Sequence, residues 1–294
     1  MNQTTDIQRF LAVIIVSFVS LGSACAAGSE SIHTATGAGG VPITYGVAGT
    51  GDTALVFVHG WSCDRSYWRE QVPVFADSYR VVTVDLGGHG ASPASRKDWS
   101  IESFGQDVAA VARAVNAEQL VLIGHSMSGQ VVLDAAARLG NRVIGIIGVD
   151  TLTDASVRPL SYERASEMFS TPAEDFAARM DALARKAFFT EDTPAELVDQ
   201  IANDMAAGDP VVGQSAGIGL AMYDIAAALA NLDGVPLILI NAGYHATNEK
   251  ALNEIYAMSR VVLIPDSGHF VMLERPAAFN AALQAELDQL ASGQ

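Results

Sequence analysis

The ten residues Leu120 to Gly129, LVLIGHSMSG, place a serine between small residues at the point where an apolar run gives way to a helical pattern. An apolar strand that turns sharply into a helix forces its turn residue into a strained backbone and pushes that side chain out at the end of the sheet. Ser126 is thereby predicted to present an exposed hydroxyl. Gly124 meets the need for a small residue before the turn, and after it Ser128 stands where a glycine would be usual, with Gly129 just behind. A serine hydroxyl is a poor nucleophile at neutral pH and needs a base within hydrogen-bond reach. The chain offers six histidines for that task, and 33 Asp plus Glu from which an orienting carboxylate could come. Cys63 follows no strand-turn-helix pattern and reads as structural rather than nucleophilic. With two cysteines, no C-x-x-C and no Cys/His cluster, neither a disulfide framework nor a zinc-ribbon site is encoded.

The elements that must carry these residues alternate between short apolar runs and longer helical patterns, the signature of a mostly parallel sheet flanked by helices. Strands are predicted at Ile43 to Val47, Ala54 to Val58, Arg80 to Asp85, Leu120 to Ile123, Val143 to Val149, Pro236 to Ile240 and Val261 to Ile264. Helices are predicted at Trp68 to Phe75, Ile101 to Val115, Gly129 to Leu139, Asn248 to Met258 and Ala277 to Leu290. The gap between Val149 and Pro236 is far longer than the others and holds amphipathic patterns such as PAEDFAARMDALARKAFF, which predict an inserted helical cap. The expected organisation is a first core segment over 27–154, the cap over 155–232 and a second core segment over 233–294. Glu163, Glu167, Glu174 and Asp175 of the cap read as a solvated helix face. The Gly-rich loop Asp85 to Ser92 lacks both phosphate-loop patterns and reads as a tight turn beneath the site.

The order HGW, DLGGHGAS, GHSMSG and DSGH along these strands resembles the α/β-hydrolase superfamily, in its cap-bearing serine-hydrolase branch. The resemblance spans nearly all of the chain after its N-terminal segment. It implies the α/β-hydrolase fold, with Ser126 as nucleophile and His269, in the loop after the last strand, as base. His33, His59, His89 and His125 have structural explanations, and His245 is the runner-up. The triad acid of much of the superfamily follows the penultimate strand, where Asn241 to Asn248 contains no carboxylate before Glu249. Another branch carries the acid one strand earlier, which points to Asp150; Asp154 and Glu249 remain alternatives, while Asp266 and Asp85 are disfavoured by position. The family pattern further implies an oxyanion hole made by the backbone N–H groups of Met127 and Trp61. The apolar residues Phe270, Phe169 and Met222, with the helical cap, are expected to shape a substrate pocket. The reaction so implied is cofactor-independent hydrolysis of a small or medium carboxylic ester, with no metal. Amide, C–C bond or perhydrolytic chemistry on the same triad stays open, as does a non-catalytic module that binds a small ligand. A serine rather than an aspartate at 126 argues against dehalogenase or epoxide-hydrolase chemistry.

Composition limits the partners. Half the residues are hydrophobic and the formal net charge is −16, so the chain can bury a core and repels polyanions such as nucleic acids and anionic membrane surfaces. The expected partner is a small-molecule ester. Phe10 to Leu21 is an apolar run shorter than the ~20 residues needed to span a bilayer, followed by Ala24-Cys25-Ala26 with A-x-A spacing. That pattern predicts a secretory signal over 1–26, cleaved near Ala26, and a periplasmic or secreted protein. An uncleaved anchor or a lipid on Cys25 fits the pattern less well.

Overall fold

The computed structural model describes residues 30–293; the predicted signal segment and Cys25 lie outside them. Eight strands form one sheet: β1 (Ser31–Thr36), β2 (Pro42–Ala48), β3 (Thr53–Val58), β4 (Arg80–Val84), β5 (Gln119–His125), β6 (Val143–Val149), β7 (Leu237–Ala242) and β8 (Ser259–Ile264). Their order is β1-β2-β4-β3-β5-β6-β7-β8; β2 runs antiparallel to both β1 and β4, and every other pairing is parallel. The inner strands β3 and β5 to β7 are buried along nearly their whole length, as strands covered by helices on both faces must be. Successive residues therefore enter different cores. Val56, Val58, Leu120 and Leu122 pack with Phe104, Val108, Val131 and Ala135 on one side. Leu55, Phe57, Val121 and Ile123 pack with Trp68, Phe75, Phe279 and Leu283 on the other.

Seven of these strands coincide with predicted ones to within a few residues. The eighth, β1, has the sequence SIHTAT and an almost wholly exposed edge position. With no buried face it needs no apolar residues, so the hydrophobic pattern by which strands are recognised is missing. The predicted helix Trp68 to Phe75 is a second difference. It is broken into a 3-10 turn (Arg65–Trp68) and a single α turn (Val72–Phe75). Pro73 sits in the first turn of the second piece; it has no N–H to donate back to the Arg69 carbonyl and its ring crowds that carbonyl, which prevents the two pieces from fusing. By contrast, the helix Ile101–Val115 has a Ser100 side-chain cap at one end and a left-handed Asn116 at the other, and its bounds match the predicted ones.

Five helices lie between β6 and β7: Tyr162–Phe169, Ala173–Ala187, Ala195–Ala206, Pro210–Met222 and Ile225–Ala230. The first packs on the fourth and the second on the third, whereas the last packs against the core helix Ser128–Leu139. Glu163, Glu167, Glu174 and Asp175 are exposed on this insertion, where water solvates them. Among the described residues no helix is long and apolar enough to cross a membrane.

Candidate active site

Strand order determines where a crevice can form. The chain lays β4 on one side of β3 and then returns to place β5 on the other, and at such a reversal the loops leaving the two strands diverge and open a cleft at their C-terminal ends. Register sets the depth of each side chain in that cleft. Val58 lies level with Gly124, His125 with Val149, and Val149 with Ile240. The residues that follow, Trp61, Ser126, Asp150 and Ala242, are thus gathered at one end of the sheet.

Ser126 occupies the turn between β5 and the helix Ser128–Leu139 with φ +55°, a left-handed conformation for a side chain other than glycine. Its N–H donates to Val149 O at 2.9 Å, fixing the turn to β6. The small neighbours are needed for clearance. A Cβ on Gly124 would lie 2.2 Å from Ser128 O, and one on Gly129 would lie 2.3 Å from Thr151 Oγ1. Ser128, the departure from the usual glycine, is wholly buried and donates its hydroxyl to His59 O, tying the turn to the loop after β3.

His269 is 143 positions away in sequence, yet its Nε2 accepts the Ser126 hydroxyl at 2.8 Å. On the other side of the ring, Nδ1 donates to Asp150 Oδ2 at 2.5 Å. Asp150, also left-handed at φ +43°, begins the turn out of β6 and receives Ala242 N–H on Oδ1 at 2.9 Å. The structure therefore brings Ser126, His269 and Asp150 into one hydrogen-bonded chain. The alternatives sit elsewhere: Glu249 is exposed at the start of the helix Glu249–Ile255, Asp154 accepts from the Ser156 N–H and hydroxyl, and Asp85 accepts the N–H groups of Arg65 and Ala91. His245 is exposed against the Tyr244 ring, and Asp266 is exposed in the loop before His269.

The loop that carries His269 is held by residues that sequence reasoning did not single out. Glu274, buried, accepts the N–H groups of Gly268 and Phe270 at 3.0 and 3.1 Å, gripping the backbone on both sides of His269. It also accepts the Thr193 hydroxyl at 2.6 Å, which links this loop to the helical insertion. His269 N–H donates to Phe188 O at 2.7 Å, and the Phe188 ring stacks on the imidazole with centroids 4.6 Å apart. Asn241 is wholly buried at the end of β7 and exchanges two hydrogen bonds with the Thr151 backbone. A polar residue ending the apolar run PLILIN is the one sequence signal for this tie, since a buried amide must find partners.

The remaining predicted site residues divide. Met127 caps the helix Ser128–Leu139, so its N–H belongs to the set that the first helical turn leaves free of intrahelical partners, while its side chain is buried in the core. Trp61 follows His59-Gly60 at the end of β3; its indole N–H donates to Gly213 O of the insertion at 2.8 Å and its ring meets Phe169 edge to face. Phe169 thus stands over the Trp61 loop. Phe270 is not a pocket wall: it is 1% exposed, packed among Tyr67, Phe188 and Phe189 behind His269, because its apolar ring completes the core beneath the His269 loop. Met222 is also displaced from the site. The helix Pro210–Met222 carries it to a surface cavity shared with Trp99, Tyr162 and Tyr223, whose lining includes none of Ser126, Asp150 or His269. Cys63 is buried, and burial pushes its thiol above the usual range, which leaves it un-ionised and unreactive.

Three other histidines are sealed in as neutral rings. Burial holds His59 down at about 4 and His89 at about 3, and burial with the neighbouring His269 holds His125 well below the usual imidazole range. Each has a fixed backbone partner: His59 Nδ1 donates to Gly60 O while its Nε2 accepts Leu86 N–H, His89 Nδ1 donates to Gly87 O, and His125 Nε2 donates to His269 O. The unfolded chain protonates these rings below pH ~6.5, and the folded one does not. Their stabilising effect is complete above that value and declines as pH falls towards 4, by about 1.4 kcal/mol per pH unit for each ring. Asp85 and Asp107, raised by burial, work in the opposite sense. Because three rings outweigh two carboxylates near pH 5, the urea midpoint should fall between pH 7 and pH 5, and the fall should shrink in His89→Gln. An unchanged midpoint would exclude this account.

With the geometry in place, the chain can be set beside known proteins. Residues 55–282 match the family model described as the alpha/beta hydrolase family. The 3-oxoadipate enol-lactonase 2 of Acinetobacter baylyi is 24% identical over 265 residues, covering 83% of this chain and 92% of that protein. A thermophilic esterase from Thermogutta terrifontis superposes with a TM-score of 0.74 at 25% identity, covering 89% of this chain and 99% of the esterase. The enol-lactonase from Burkholderia xenovorans LB400 has the same fold, with a TM-score of 0.74 at 23% identity over 87% of this chain and 100% of its own. The match to the family extends from β3 into the first turns of the last helix, Pro276–Ser292, and the chain belongs to the alpha/beta hydrolase family.

Proposed function

We propose that this protein is a serine hydrolase of small or medium carboxylic esters that works through an acyl-enzyme on Ser126. The observation that carries the reading is the continuous chain Ser126 Oγ, His269 Nε2, His269 Nδ1, Asp150 Oδ2, with contacts of 2.8 and 2.5 Å. In the first half-reaction Ser126 Oγ attacks the ester carbonyl as His269 Nε2 takes its proton, and Asp150 stabilises the imidazolium. The N–H groups of Met127 and Trp61 receive the oxyanion, each worth about 3 to 4 kcal/mol of barrier. Collapse of the tetrahedral species breaks the bond to the alcohol, which leaves with the proton from His269. Water then repeats the sequence, returning the carboxylic acid and free Ser126. A lactone is a carboxylic ester whose alcohol remains tethered, so similarity to a lactonase and to an esterase supports the same chemistry.

A fluorophosphonate probe tests this directly, because it captures only a serine activated by a base. Peptide mapping should find one adduct, on Ser126, absent from His269→Ala, and p-nitrophenyl acetate should be turned over. A folded protein that forms no adduct and hydrolyses no activated ester would instead be a module that binds a small ligand.

A further inference from the structure

The loop after β7 lacks a carboxylate, but it does not stand apart from the acid supplied by β6. Asp150 Oδ2 has two partners: it accepts from His269 Nδ1 at 2.5 Å and from the Tyr244 hydroxyl at 3.3 Å. Oδ1 accepts Ala242 N–H. Both non-histidine donors thus come from Ala242 to Tyr244, the stretch where much of the family places its acid, and Asp150 is only 6% exposed among them. We infer that Tyr244 is a positioning residue for the reaction proposed above, its hydroxyl orienting the Asp150 carboxylate and setting how strongly that carboxylate holds the His269 proton.

The effect follows from shared occupancy of one oxygen. A phenol that donates to Oδ2 draws charge from the atom that faces the imidazole, so Asp150 stabilises the imidazolium less than a carboxylate without that donor would. Burial, and then the Asp150 charge, push the Tyr244 phenol up from its ordinary value, which keeps it protonated and a donor throughout the working range. The other groups facing His269 are not altered by a change at Tyr244. They are neutral His125 from β5, with ring centroids 4.7 Å away, the apolar Phe188 ring from the insertion, and Glu274 on its own loop, engaged by Gly268, Phe270 and Thr193. His245, which neighbours Tyr244 and is exposed, provides a control.

The test compares wild type with Tyr244→Phe, Tyr244→Leu and His245→Ala by NMR titration of the His269 ring and by the pH profile of kcat/KM on p-nitrophenyl acetate. Removing the hydroxyl should raise the His269 pKa by about half a unit, moving the acid limb of the profile to higher pH. It should also lower kcat roughly threefold to tenfold, with KM unchanged. His245→Ala should match wild type. A merely structural tyrosine would lower the rate without moving the titration, so a His269 pKa identical in wild type and both Tyr244 variants overturns the inference. The NMR arm needs no turnover. Absence of ester hydrolysis with a shifted His269 pKa would therefore strike the proposed reaction, and hydrolysis with an unshifted pKa would strike the role of Tyr244.

Discussion

Ser126→Ala should lower kcat/KM for a short-chain ester by about 10⁴-fold or more, without changing the fold. The substitution deletes one oxygen, whose described contact is the hydrogen bond to His269 Nε2. The backbone should tolerate it, because alanine meets the same restriction as serine at φ +55° and adds no atom to the tight packing around Gly124 and Gly129. What should survive is the contribution of the proposed oxyanion donors and of binding. His269→Ala should cost a similar amount, and the double variant little more than either, since a nucleophile without its base and a base without its nucleophile disable the same step. Progress curves on purified single and double variants decide the point. Additive losses, or an alanine variant that keeps even a few per cent of the rate, would mean that the hydrolysis takes place elsewhere.

Asp150→Asn should lower kcat on the order of 10⁴-fold, although it keeps the shape of the side chain. As a carboxylate, Asp150 requires the proton of the neutral imidazole to sit on Nδ1, leaving Nε2 with the lone pair that accepts from Ser126. In the asparagine variant, Oδ1 would keep Ala242 N–H, and the amide NH2 would face Nδ1. The ring would then carry its proton on Nε2, pointing at a hydroxyl from which it can no longer take one. Glu249→Gln, at an exposed helix start, should leave kcat within twofold of wild type. The reverse outcome, a large loss at Glu249 and a small one at Asp150, would transfer the acid role. Steady-state kinetics on the two variants suffices, with fluorophosphonate labelling slowed in Asp150→Asn for the same reason.

The residues differ in how far their places could be read in advance. The turn at Ser126 is legible because its determinants are contiguous: an apolar strand, small residues at Gly124 and Gly129, and a helix directly after. Most inner strands are legible for a similar reason, since burial on both faces demands unbroken apolar runs such as ALVFV and LVLI. The edge strand β1 and the broken segment around Pro73 were not, because one is specified by pairing to β2 and the other by the steric demands of a single residue inside an otherwise helical pattern. His269 and Asp150 carry no local signature of their own, and it was resemblance to a family rather than spacing that pointed to them. Phe270 and Met222 show a further limit: being apolar, beside a motif or on the insertion, does not say which way a side chain faces.

The sequence by itself determined the alternation of buried strands and amphipathic helices, the strand-turn-helix at Ser126 and a formal net charge of −16. These depend on composition and on neighbours within a few positions. Only the tertiary structure decided which carboxylate meets His269, that Tyr244 and Ala242 fill the loop that lacks one, and that Phe188 and Thr193 of the insertion grip the His269 loop. Those contacts join residues up to 119 positions apart. They arise from parallel register, which aligns the ends of β5, β6 and β7 to within two residues, and no local pattern encodes a register between strands that the chain connects through intervening helices.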